Sequence, residues 1–258
     1  MDKIKIIFFD VDGTLVDMQK KKISENTVHT LQALRQRGIR ICMATGRTPV
    51  TVPHFEGVEF DAYLTFNGSY CYDEAGEIFS NPIAQQDVLQ LIENAAGIGR
   101  PVSIATRDRV TANGWDAELA QYYSFAGIPL EVTEDFPQVA RQDVYQVMLG
   151  CCPSDHPALL EHVAGAKITG WWDKAVDIIP ATCGKGRGVE AILAHYGYAK
   201  EEAMAFGDGN NDIELLQAVG CGVAMENASA HLKAVASDHC GHVAEDGIYH
   251  YCLTKALI

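Results

Sequence analysis

The apolar run Lys3 to Val16, KIKIIFFDVDGTLV, constrains this chain most, because it stops abruptly at two aspartates, a glycine and a threonine. Ile4, Ile6, Ile7, Phe8 and Phe9 are β-branched or aromatic with little alternation, the pattern of a strand buried on both faces of a parallel sheet. Asp10 and Asp12 then stand where that strand leaves the sheet. In open α/β sheets, ligands bind beyond the carboxyl ends of the strands. The aspartates are two positions apart, so in an extended segment both side chains point the same way and their charges repel. A positive group is expected between them. An Asx turn at a strand end would account for one aspartate, and less well for two.

The same strand-then-polar-turn pattern recurs. Ser24 reads as an N-cap for a helix from Glu25 to Arg37 with Gly38 as the stop. A strand from Ile39 to Ala44 runs into Thr45-Gly46-Arg47. A third, Ala62 to Phe66, ends at Asn67-Gly68 and is followed by a hairpin, Ser69–Tyr72 and Glu77–Phe79. From Pro82 to about Thr182 the pattern changes. Helices are expected at Asp87–Ala96, Ala117–Phe125 and Pro157–Ala164, with strands at Val102–Thr106, Val110–Ala112, Val144–Gly150, Lys167–Trp172 and Ala175–Ile179. The alternating pattern then resumes with helices at Arg187–His195, Ile213–Ala218, Ala230–Ala236 and Gly247–Leu257, and strands at Ala203–Phe206 and Gly222–Met225. The expected fold class is α/β: a doubly wound, mostly parallel Rossmann-like core sheet from residues 1–81 and 183–258. Residues 82–182 are an inserted α+β unit placed where it can cover the site.

Charge narrows the function. A formal net charge of −14 over 258 residues argues against nucleic acid or an anionic membrane as partner. A phosphate ester would also be repelled, so any phosphate site must be locally positive through a metal ion, a lysine or backbone N–H groups. The Lys20-Lys21-Lys22 run reads as a solvated loop. No apolar run is long enough to span a bilayer and the start lacks the features of a signal peptide, so a cytoplasmic location is expected. The eight cysteines include no C-x-x-C pair and read as free thiols.

Three further motifs qualify. Thr45-Gly46 offers a small hydroxyl and a close backbone, which suits a phosphate oxygen, although a Thr-Gly turn is common. Lys185, in Gly184-Lys185-Gly186, stands just before a helix, where a cation opposes the macrodipole by roughly 0.3–1 kcal/mol. It is therefore not there for helix stability, though an exposed loop lysine would look the same. Gly207-Asp208-Gly209-Asn210-Asn211-Asp212 is a second acidic cluster at a strand end. Its plainer reading is a turn that caps the next helix.

In this order, D-x-D-G-T, T-G, K-G and G-D-x-x-N-D resemble the four motifs of the haloacid dehalogenase-like (HAD) superfamily, whose members mostly transfer phosphoryl groups. FNG after the third strand, VDIIP-x4-KG and AEDGI are similar to the Cof-type subfamily of HAD phosphatases, which carries a large α/β cap where residues 82–182 lie. The resemblance implies a Mg²⁺-dependent phosphatase in which Asp10 is the nucleophile and Asp12 the acid/base. It implies Mg²⁺ held by Asp10, the Asp12 carbonyl and Asp208, with Asp212 in an outer role. Val11, Thr45, Gly46, Lys185 and Asn211 would surround the phosphate; Arg47 and Asn67 are further outer or substrate candidates. The implied partner is a small phosphorylated metabolite, first of all a sugar phosphate, selected by the cap.

Two other functions share these residues: a phosphohexomutase, which returns the phosphoryl group to the sugar, and a non-enzymatic phosphate- or metal-responsive module. Trp115, Trp171 and Trp172 are candidates for a sugar-stacking wall, with cap packing as the plainer reading. Asp238-His239-Cys240-Gly241-His242 holds zinc-type ligands, but lacks partners at zinc spacing and reads as a surface loop. Oligomeric state is not legible.

Overall fold

A computed structural model describes residues 4–125 and 127–258; the Trp171 side chain and the first residues of the opening run, including Lys3, lie outside the described part. The chain divides into two compact units. One contains the chain up to Gly46, Pro53–Ser80 and Gly184–Ile258; the other contains Arg47–Val52 and Asn81–Cys183.

The first unit opens with β1 (Ile6–Phe9), α1 (Glu25–Gln36), β2 (Arg40–Ala44), β3 (Ala62–Thr65), β4 (Tyr70–Asp73) and β5 (Gly76–Ser80). The second adds α2 (Gln85–Gly97), β6 (Ser103–Ala105), β7 (Val110–Ala112), α3 (Ala117–Phe125), α4 (Phe136–Val139), β8 (Gln146–Gly150), α5 (His156–Leu159), β9 (Ala166–Trp172) and β10 (Ala175–Pro180). The first unit then resumes with α6 (Lys185–Tyr196), β11 (Ala203–Gly207), α7 (Ile213–Gln217), β12 (Cys221–Ala224), α8 (Ala230–Val235), β13 (Asp238–His239) and α9 (Gly247–Thr254).

The first unit's sheet has eight strands in the order β13-β12-β11-β1-β2-β3-β4-β5. From β13 to β3 the neighbours pair in parallel, and the β4–β5 hairpin adds two antiparallel strands at one edge. Every residue of β1 and β11 is buried, which explains the lack of alternation in their sequences. Phe9 and Phe206, paired across the two strands, stack at 5.3 Å. Because β1, β2, β11 and β12 run the same way, Asp10, Thr45, Asp208 and Met225 all emerge at one edge of the sheet.

The second unit is an antiparallel five-stranded sheet, β7-β6-β8-β10-β9. Ile104, Val147, Leu149, Val176 and Ile178 on one face pack with Val88, Leu91 and Ala95 of α2 in a common apolar core. The other face is more polar: Ser103, Gln146 and Asp177 are all buried, and the Tyr122 hydroxyl of α3 donates to Asp177 at 2.6 Å. Among the described residues no helix is long and apolar enough to cross a membrane. All eight cysteines are free.

Several sequence expectations need correction. Asp10 and Asp12 do not share an extended segment: β1 ends at Phe9, and the N–H groups of Thr14, Leu15 and Val16 fold back onto the Val11 carbonyl at 3.3, 3.0 and 2.8 Å. The helix expected from Pro157 to Ala164 is only the four-residue α5, and His162 adopts a left-handed backbone (φ 60°) that a helix cannot contain. Lys185 is the first residue of α6 rather than a loop residue before it. Asp238 and His239 form an edge strand instead of a surface loop, paired with Val223 and Ala224. Four-residue helices and two-residue strands carry too little periodicity to be seen in a sequence, because their stability comes from tertiary packing.

Candidate active site

Asp10 continues directly from β1, its N–H donating to the Phe206 carbonyl at 3.0 Å, and the residue is 6% exposed. The hairpin-like turn after Val11 requires Gly13, whose φ is 95° and whose position would place a Cβ 2.2 Å from an Asp208 carboxylate oxygen. Glycine is thus what lets the first motif approach the fourth. The hydroxyl of Thr14 donates to Asp208 Oδ1 at 2.9 Å and closes that contact.

Lys185 is the centre of the site. Its side chain is fully buried, and Nζ donates to Asp10 Oδ1 at 2.7 Å and to Asp212 Oδ1 at 2.6 Å. Asp212 is itself 0% exposed, and its second oxygen accepts from the N–H groups of Asp208 and Gly209, both at 3.0 Å. Both Asp212 oxygens are therefore committed to organising the lysine and the turn. Carboxylate oxygens of Asp10, Asp208 and Asp212 lie within 4.8 Å of one another, a group of ligating side chains found once among the described residues.

The electrostatics follow from that crowding. Burial pushes the Asp10 carboxyl up to about 7, with the negative charge of Asp212 adding to the rise and Lys185 opposing it. Burial, then the charges of Asp10 and Asp212, push Asp208 well above the usual carboxylate range, against the pull of the Thr14 hydroxyl. Burial also works against the Lys185 ammonium, but the two carboxylates outweigh it and hold Lys185 above an ordinary lysine. With all three carboxyls ionised, one ammonium would leave two negative charges uncompensated in a buried place, which is what pushes Asp10 and Asp208 toward their protonated forms. An oxygen-only donor set with that charge deficit fits one hard divalent cation of the Mg²⁺ type.

The third strand end completes the edge. Thr45 is 1% exposed, with its N–H donating to Leu64 O at 2.8 Å, and its carbonyl accepts from the Asn67 N–H at 3.1 Å. Asn67 is 2% exposed, and its Oδ1 accepts from Asn211 Nδ2 at 3.2 Å. A Cβ on Gly46 would lie 2.9 Å from Asn67 Nδ2, so Gly46, Asn67 and Asn211 are mutual neighbours.

Within the first unit the structure therefore gathers Asp10, Asp208, Asp212 and Lys185 in one cluster, and Thr45, Gly46, Asn67 and Asn211 in a second group. Asp12 is electrostatically close to Asp10, raising its pKa. Val11 is fully buried and anchors the turn through its carbonyl. Arg47 belongs to the other unit, where its Nη1 donates to Thr51 O at 3.2 Å. Trp172 packs edge-on against Phe125 at 5.1 Å, and Trp115 is 66% exposed.

The zinc-like cluster is consumed by packing: Asp238 Oδ2 accepts from Tyr251 Oη at 3.0 Å and pairs with Lys255 Nζ at 2.7 Å, Cys240 Sγ lies 3.2 Å from Met225 Sδ, and His242 Nδ1 accepts from Ala244 N at 3.0 Å.

Sequence reasoning missed two supports. Thr14 was visible in the first motif but carried no assigned role. Asn227 donates to Gly13 O at 2.8 Å and Asp208 Oδ2 at 3.4 Å, while its Oδ1 accepts from Val243 N at 3.1 Å. Its signal was available, since it lies in a polar turn after a buried strand, like the motif residues.

The profile of the family described as haloacid dehalogenase-like hydrolase matches residues 7–252. Among curated proteins, the chain is 29% identical over 250 residues to YkrA of Bacillus subtilis (strain 168), covering 95% of each chain. It is 29% identical over 264 residues to the HMP-PP phosphatase of Escherichia coli O157:H7 (strain EC4115 / EHEC), covering 96% of this chain and 94% of that one. Among solved structures it is similar to the HAD subclass IIB sugar phosphatase BT4131, with a TM-score of 0.89 and 27% identity over 98% of this chain and 100% of that chain.

Proposed function

From the premise that the chain belongs to the haloacid dehalogenase-like hydrolase family and is a phosphatase of the Cof type, we propose that it is Mg²⁺-dependent and hydrolyses small sugar phosphates through an aspartyl-phosphate intermediate. The observation that carries this reading is the buried Lys185 bridging Asp10 and Asp212 beside Asp208, a group that carries two excess negative charges once all three carboxyls are ionised. Structural ion pairs rarely leave such a deficit in the core. A divalent cation and a phosphoryl group, each attracted by its complement in this cluster, give it a purpose.

In this reading Asp10 attacks phosphorus with a carboxylate oxygen, forming an O–P bond as the bond to the leaving oxygen breaks. Asp12 gives a proton to that leaving oxygen. It then takes a proton from a water, which attacks the same phosphorus, releases phosphate and returns Asp10 as a free carboxylate. Lys185 stabilises the ionised Asp10 and the phosphoryl oxygens, while Asp212 keeps its ammonium aimed. Thr45, Asn211 and the N–H groups of Val11 and Gly46 donate to the phosphoryl oxygens, where such fixed donors contribute most to the rate. Asp10, Asp208 and the Asp12 carbonyl would hold Mg²⁺. When bound, it supplies positive charge that offsets charge developing on the transferred group.

The sugar-phosphate assignment draws support from the name of BT4131, whereas the HMP-PP phosphatase acts on another compound, so the test is a panel. Phosphate release from sugar phosphates, nucleotides and HMP-PP is measured with Mg²⁺ or EDTA, for the wild type and Asp10→Asn. The expected result is Mg²⁺-dependent release, fastest with a sugar phosphate, that falls at least about a thousandfold in the variant. Release unaffected by Asp10→Asn refutes the mechanism, release of an isomeric sugar phosphate instead of phosphate makes the protein a mutase, and a non-sugar ester turned over fastest refutes the substrate class.

A further inference from the structure

Between β3 and β4 the backbone turns through three consecutive residues in the left-handed region, Phe66 (φ 50°), Asn67 (φ 52°) and Gly68 (φ 93°). Two of the three carry side chains, and all are buried. Such a run persists only where the surroundings over-determine it, and it concentrates where geometry serves function. Here the surroundings are the site. The Asn67 N–H donates to the Thr45 carbonyl, and a Cβ on Gly68 would stand 2.1 Å from the carbonyl oxygen of Gly184, the cap residue of α6. The turn is therefore wedged between the end of β2 and the start of the helix that carries Lys185.

An asparagine that served only the turn would bond its own neighbouring backbone. Asn67 also reaches across 144 positions of sequence: Oδ1 accepts from Asn211 Nδ2 at 3.2 Å, and Nδ2 lies over Gly46. One carboxamide thus joins two loops that arrive from different strands. The Asn211 Oδ1 lies on the other side, over Gly209, where a Cβ would be 2.5 Å away.

We propose that Asn67 is a positioning residue that, through Asn211, aligns the fourth motif with the Thr45–Gly46 turn so that both present their donors to the same phosphoryl group. The inference rests on the phosphatase reading above for what Asn211 and Gly46 do, but concerns a residue outside the four motifs. It assigns the left-handed turn a catalytic purpose rather than a merely connective one.

The test is a double-mutant cycle on Asn67→Gly, Asn211→Ala and the combined variant. Glycine accepts the left-handed backbone without strain, so Asn67→Gly is expected to fold and to melt somewhat below the wild type, having lost the part-buried hydrogen bond to Asn211. Its kcat is expected to fall about 10- to 100-fold with KM changed less than about threefold, the signature of lost alignment. If Asn67 works through Asn211, the combined variant is no slower than Asn211→Ala alone. Losses that multiply, or an Asn67→Gly kcat within twofold of wild type, overturn the inference. Should the glycine variant not fold, Asn67→Ala takes its place in the cycle. The same cycle is read on the Kd of orthovanadate in the presence of Mg²⁺. Non-multiplying losses in vanadate affinity with no ester turned over by the wild type would keep the bridge and refute the phosphatase reading instead.

Discussion

Replacing Asp208 with asparagine is expected to make the metal-free protein more stable and the metal-loaded protein less so. Asp208 faces two other carboxylates and, among the described residues, forms no ion pair; the Thr14 hydroxyl and the Asn227 amide donate to it. Two like charges within 4.8 Å repel by roughly 3.5 kcal/mol or more at an effective dielectric of 20. Lys185 offsets part of this, and proton uptake by a carboxyl whose pKa is raised relieves more. Asparagine keeps an acceptor for Thr14. It loses the contact from Asn227 at 3.4 Å, but Asn227 retains its bond to Gly13 O at 2.8 Å.

A net gain of about 2 kcal/mol in EDTA at pH 8 is the expected balance, which for a chain of this size is a rise in Tm of about 4–8 °C. The wild type should gain about 2.7 kcal/mol from Mg²⁺ at a hundred times its Kd, and the variant little. The order of stability therefore inverts between EDTA and Mg²⁺, which thermal unfolding in the two buffers reads directly. An Asp208→Asn protein that melts below wild type in EDTA, or that Mg²⁺ stabilises equally, would show that this carboxylate serves the fold and refute the cation-site argument.

Removing Lys185 should do the opposite: Lys185→Met strands Asp10 and Asp212 without their shared cation and is expected to cost about 3–5 kcal/mol in denaturant unfolding. A cost under 1 kcal/mol would mean that the carboxylates are held neutral. Ser69 has the one buried hydroxyl without a hydrogen-bond partner among the described side chains; Ser69→Ala should therefore raise stability by about 1 kcal/mol, and a loss of that size would expose a hidden partner. The raised pKa of Asp10 also sets a pH dependence. The folded, metal-free protein binds a proton at Asp10 that the unfolded chain releases above about pH 4. Stability in EDTA should consequently fall as pH rises toward the folded value of about 7, by at most about 1.4 kcal/mol per unit from this group. Mg²⁺ binding at pH 6 should release protons, measurable by calorimetry in buffers of different ionisation enthalpy; no proton release would contradict the raised pKa.

Much of this was legible before any coordinates. Unalternating apolar runs such as Ile6–Phe9 and Ala203–Phe206 read as strands buried on both faces, and each stops at charged or turn-forming residues. The parallel core follows from that local pattern, as do Asp10 and Asp208 as polar residues at strand ends, whereas Thr45 and Lys185 stood out only through the resemblance of the four motifs in order. Ser24 is an N-cap in the structure as in the sequence, accepting from Thr27 N at 3.1 Å.

Local pattern could not say which way side chains turn once a strand has ended. The chain bends at Val11 instead of running on through Asp12, so the group placed against Asp10 is not its sequence neighbour but Lys185, 175 positions away. Nor could it show that Asn67, an ordinary turn residue by type, reaches Asn211. Sequence determines which segments must be buried, because burial free energy is summed residue by residue along a periodic pattern. The partners of a buried charge are decided by tertiary structure alone, because electrostatic energy depends on distance through space and not along the chain.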